Sequence, residues 1–257
     1  MNLGPVGKPF GKEAEMDDLQ RSQVLSEQLM AYAQKHDLKN TVASLSIIRK
    51  YSKLVKNKSK IPYYLANCQG TAKMLSEINL PFDTTELDYA LSAALLHTIS
   101  KHVSTINFER EMTAIYGIDP RICEIVKMIT LNGQTSDEEL TAFYDQIKTD
   151  RIALIVRLTE RSNLVERLSE VTALKAKVQI SDTKRYFFPM CVYAKIHYPE
   201  LTPAIAVLME KMRNLMDVAE ILIEQFDQRE KDLSRDILEL LEENTRIRSL
   251  IAKLEGN

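Results

Sequence analysis

From Tyr89 to Val103 the chain reads YALSAALLHTISKHV (89–103). Small and large apolar residues fill its first half, which predicts a helix buried among its neighbours. That helix delivers His97 at the place where many metal hydrolases continue with an aspartate, yet the next residue is Thr98. The question is whether this is a metal site or what remains of one.

The rest of the chain sets the frame. With 257 residues, 45% hydrophobic and 27% charged, it has material for one sizeable domain with an appendage or for two small domains. Only seven glycines occur, and Gly4, Gly7 and Gly11 account for three of them, so the body lacks the turn punctuation of an all-β or dinucleotide-binding protein. An all-α fold follows. A net charge of −2 provides no long-range field for nucleic acid or an anionic membrane, and neither is expected as a partner. No apolar run reaches the length of a membrane span and the opening MNLGPVGKPFGKEAE has no leader character, so a cytoplasmic location is expected. Cys68, Cys123 and Cys191 are odd in number and far apart, which predicts reduced, buried thiols.

Three regions are expected: a disordered lead over 1–14, a helical domain over 15–202 and a long C-terminal helix over 203–257. A surface helix begins near Glu15, with Leu19, Val24, Leu29 and Tyr32 as its apolar residues. Further helices are expected over about 38–55, 63–78, 85–102, 107–115, 119–131, 136–147, 150–168, 180–197 and 203–254. Pro62, Pro81, Pro120, Pro199 and Pro203 stand near these boundaries, where a missing N–H is tolerated.

Four segments in order carry a resemblance: KNKSKIPYYLAN, DYALSAALLHTISKHV, FEREMTAIYGIDPRICEIVKMIT and RIALIVRLTERSNLVERL. Together they resemble the HD domain of the stringent-response (p)ppGpp hydrolases, the RelA/SpoT homologues, over roughly residues 45–200. The resemblance implies an HD-domain helical bundle, a guanine nucleotide as ligand and a divalent metal such as manganese. It also locates departures. The family's first ligand histidine falls on Ala66, its His-Asp pair on His97 and Thr98, its last ligand aspartate on Glu160, and its catalytic Glu-Asp pair on Lys101 and His102. A hydrolytic centre needs several converging nitrogen and carboxylate ligands to lower the pKa of a bound water. Alanine supplies no donor and threonine only a neutral hydroxyl.

The expected outcome is a degenerate, non-hydrolytic module without a catalytic residue or a resident metal. Its vestigial pocket comprises His97, Thr98, His102 and Glu160, and Lys58, Ser59 and Arg161 are the implied nucleotide contacts. On a continuous helix His97 and His102 lie about 140° apart, so a rearranged ligand set of His97, His102 and Glu160, the alternative metal-dependent phosphohydrolase, requires a break after Thr98. The plainer expectation for His97 is a buried histidine bonded to Glu160, and Glu160 with Arg161 also fits an ordinary helix ion pair. No counterpart of the family's synthetase domain is present, and no GxGxxG, Walker A, GxSxG or HExxH pattern occurs.

The tail is read from periodicity. Leu208, Met212, Leu215, Ala219, Leu222 and Phe226 form one stripe, expected to fold back on the body. After a four-residue register shift it continues as Leu233, Ile237, Leu240, Ile247, Ile251 and Leu254. With Ile237 and Ile251 at a, and Leu240 and Leu254 at d, Asn244 also falls at a, Glu243 at g and Arg248 at e. A parallel homodimer, or the equivalent contact with a partner helix, is expected over 233–254.

Overall fold

The computed structural model describes residues 18–51, 61–102, 107–131 and 136–255, and for 18, 19, 61–64, 98, 101, 102 and 250–255 the backbone alone. The described residues are all helical apart from their connections: α1 Asp18–Lys35, α2 Lys39–Tyr51, α3 Ile61–Glu77, α4 Thr84–His102, α5 Phe108–Ala114, α6 Pro120–Ile129, α7 Asp137–Lys148, α8 Arg151–Glu166, α9 Ala173–Asp182, α10 Phe188–His197 and α11 Thr202–Glu255. The lead expected over 1–14 lies outside the described residues.

The quoted stretch forms most of α4, the axis of the bundle. Ala90, Leu91, Ala93, Ala94, Leu95 and Leu96 are fully buried, because α2, α3, α6 and α8 all pack against this helix. Alanines let those neighbours approach and leucines fill what remains. Burying each leucine contributes roughly 1.5–3 kcal/mol, and Leu95→Ala at this depth costs about 2–5 kcal/mol. Polar groups fix the helix ends. Asp150 starts α8 by accepting from the amides of Ile152 and Ala153, each at 2.9 Å, and Ser136 opens α7 in a reciprocal box with Glu139. The Asp88 carboxylate on α4 accepts from the amides of Asn40 and Thr41 at 3.0 and 2.8 Å, holding the first turn of α2 against α4.

Three details differ from the sequence reading. In α1 the inner face consists of Ser22, Ser26, Leu29 and Ala33, whereas Val24 is exposed. Ser22 is held inside by Gln69 on α3, its hydroxyl lying 2.8 Å from the Gln69 side chain. Helix α9 arises where a connection was expected. Its apolar residues Leu174, Ala176, Val178 and Ile180 alternate, and only Ala176 and Ile180 are buried, so no helical stripe is visible in them. A π-helical turn, Thr183–Phe187, then joins α9 to α10 and delivers Phe187 into the core with no exposed surface.

Helix α11 is a single rod of 54 residues, about 80 Å long. Ile205, Leu208, Met212, Met216, Ala219 and Ile223 are buried and belong to the bundle core, as the expected fold-back requires. Leu222 is exposed, and Met216 and Ile223 occupy the covered positions instead. The covered phase therefore runs 212, 216, 219, 223, 226 and arrives at Leu233 and Ile237 in heptad step, with no register shift. From Gln228 to Ser249 every residue except Asp232 is exposed, so packing against the body ends near Asp227. Cys68, Cys123 and Cys191 are buried as expected, and no helix among the described residues is long and apolar enough to cross a membrane.

Candidate functional site

Two of the sequence-selected residues, His97 and Glu160, meet where α4 faces α8. Residues 160 and 161 each neighbour 157 along α8, being three and four positions beyond it. His97 and Glu160 are each more than nine-tenths buried, with His97 Nε2 3.5 Å from Glu160 Oε1. The Nδ1 of the same ring lies 2.7 Å from the Ala94 carbonyl, so both ring nitrogens face oxygen acceptors. On its other side Glu160 is bound by Arg157, whose guanidinium donates to Oε2. Burial by itself would raise the Glu160 carboxyl, but Arg157 and His97 outweigh it and hold the group far below the usual carboxylate range.

The helix ion pair that Glu160 and Arg161 also allowed is not the one formed. Adjacent helical positions point apart, and the acid takes the arginine three residues earlier. Arg161 is also buried, and its guanidinium carbon sits 4.2 Å from the centre of the Phe187 ring. Among the described residues no ion pair joins it to a carboxylate, and its Nε has no hydrogen-bond partner. Burial, and then the nearby Arg157 cation, push this guanidinium below its ordinary value. Phe143, Tyr144 and Phe187 surround Arg157 at 5.6 to 5.9 Å, completing an aromatic floor beneath two cations.

The other candidates are placed as follows. Ala66 is buried on α3, which packs against both α4 and α8. Lys58 and Ser59 lie outside the described residues, and of Thr98 and His102 only the backbone is described. That backbone continues as helix through His102, so the break required by the rearranged ligand set is not there and position 102 stays about 140° around the axis from position 97. Among the described residues no three His, Cys, Asp or Glu side chains gather into a metal-holding group.

Two features escaped the sequence reading. Arg157 completes the ionic chain, and its signal was available as a basic residue three positions before Glu160. The other is a chain of polar groups in which Lys50 donates to the Tyr116 hydroxyl at 2.6 Å, Tyr116 donates to Tyr51 at 3.4 Å and Tyr51 donates to Glu111. Its members come from α2, α5 and the turn after α5, and no local spacing joins them.

Fold and site together define an all-α protein with a buried ionic cluster between two central helices. No family model matches the chain, and no curated protein or solved structure matches it either.

Proposed function

We propose that this chain is a non-hydrolytic module of the HD type, built on the plan of the (p)ppGpp hydrolases, whose body binds a nucleotide and whose tail associates with another helix. The observation that supports this reading is the use to which Glu160 is put. Two positions that the resemblance makes metal ligands, His97 and Glu160, do come together, but they serve each other and Arg157. A carboxylate with both oxygens engaged by an internal cation and an imidazole is a structural group. Ala66 and Thr98 leave two further ligand positions without a strong donor. Arg161, buried beside the cluster and paired with no carboxylate among the described residues, is the group that would meet a phosphate oxygen.

The test is incubation of the purified protein with guanosine tetraphosphate and manganese, alongside calorimetry with guanine and adenine nucleotides. The expected outcome is no turnover, with heat of binding from a guanine nucleotide. Stoichiometric metal together with turnover abolished by His97→Ala would instead establish the phosphohydrolase, and absence of heat with every nucleotide would show that the cluster is a filled core.

A further inference from the structure

We infer that the projecting half of α11 pairs with the same segment of a second copy of this chain, parallel and in register on Asn244. This deepens the proposed association role of the tail and does not depend on nucleotide binding by the body. In the inner half of α11 the bundle covers Met212, Met216, Ala219 and Ile223, and the same heptad positions beyond it are Leu233, Ile237, Leu240, Asn244 and Ile247. There none of the described residues covers them: Leu233, Ile237, Leu240 and Ile247 are 48 to 65% exposed. A helix that needed no partner would change to polar residues at these positions once it left the body.

The identity of the occupant follows from the residue types. Isoleucine at a with leucine at d, as in Ile237 and Leu240, favours two strands, and a single asparagine at a fixes register by bonding to its counterpart across a parallel seam. The charges agree. At g and e of successive heptads, Glu243 of one strand meets Arg248 of the other on both sides of the seam, whereas an antiparallel pairing brings g against g and sets Glu243 among acids. Leu241 at e widens the apolar contact and is itself 59% exposed. In the sequence Ile251 and Leu254 continue the pattern, giving a seam of 22 residues from Leu233, about 33 Å long. Glu230 occupies the a position between the covered and uncovered halves. Burying its charge would be costly, so the two strands part there and each proceeds to its own bundle.

The test uses the full chain. Light scattering across a concentration series should give the mass of two chains, and Ile237→Glu should give the mass of one with the body's melting transition unchanged. Mild oxidation of Asn244→Cys should yield a linked dimer, while Glu242→Cys, at the outward f position, should not. Arg248→Glu should weaken association about tenfold, and adding Glu243→Lys should restore it. A monomeric full-length chain overturns the proposal. So does a dimer that survives Ile237→Glu, or one that Asn244→Cys fails to link. Nucleotide calorimetry on the monomeric Ile237→Glu variant reads the body alone, so failure of one proposal is distinguished from failure of the other.

Discussion

His97 Nε2 on α4 lies 3.5 Å from Glu160 Oε1 on α8, which ties the two central helices together through an imidazole and a carboxylate. Removing the acid strands Arg157 and His97 in the core. Glu160→Ala is expected to cost about 3–5 kcal/mol, read as a shift in the urea midpoint. Double substitution with Arg157→Met should recover part of that loss, because the buried cation leaves with its partner.

The same carboxyl gives stability a pH dependence of known sign. Its folded-state pKa is depressed from the ordinary 4.5, so its contribution is complete above that value and declines as pH falls below it. Urea midpoints measured from pH 6 down to pH 3 should drop for the wild type, and Glu160→Gln should flatten the curve.

Arg161→Met separates binding from packing. A buried guanidinium without an acid is a burden on the fold, and an apolar side chain of similar length on Phe187 should raise stability by about 1–3 kcal/mol. Calorimetry on this variant is expected to lose the nucleotide heat while thermal melting moves upward.

Asp88 accepts not only the two amides of α2 but also the side chains of Asn40 and Thr41, at 2.9 and 2.7 Å. Asp88→Ala takes the carboxylate acceptor from the buried Thr41 amide and from the half-buried Asn40 amide and side chain. A loss of about 2–3 kcal/mol is expected in chemical denaturation.

Gly70→Ala sets two effects against each other. Alanine favours the helix by about 1 kcal/mol, but its Cβ would stand 2.7 Å from Asn163 Oδ1. Asn163 has little room to retreat, since its amide donates to the Asn67 carbonyl and side chain at 3.1 and 2.9 Å. The clash prevails, and net destabilisation of about 1–2 kcal/mol should appear in the urea midpoint.

The all-α class was legible because glycine is scarce and helical stripes recur, and the deep burial of α4 followed from its alanines and leucines. What stayed hidden depends on neighbours. Ser22 lies inside because Gln69 on another helix bonds to it, and Ile223 displaces Leu222 because the surface beneath α11 selects the angle. The site divided in the same way: His97 facing Glu160 was expected from residue types and the spacing of Arg157 and Glu160 was open to view, whereas the chain from Lys50 through Tyr116 and Tyr51 to Glu111 joins elements that no local spacing connects.

The three cysteines bear on how the molecule meets oxidants. Burial pushes the Cys123 thiol up to about 11 and the Cys191 thiol up to about 12, and Cys68 has no exposed surface. The thiolate, the only reactive form, is therefore scarce at neutral pH and shielded from reagent. The native protein should stay silent toward an alkylating dye, and each labelling event should mark an excursion in which the core has parted. Labelling at the three positions, resolved by mass spectrometry, then becomes a stopwatch for opening at α3, α6 and α10 separately.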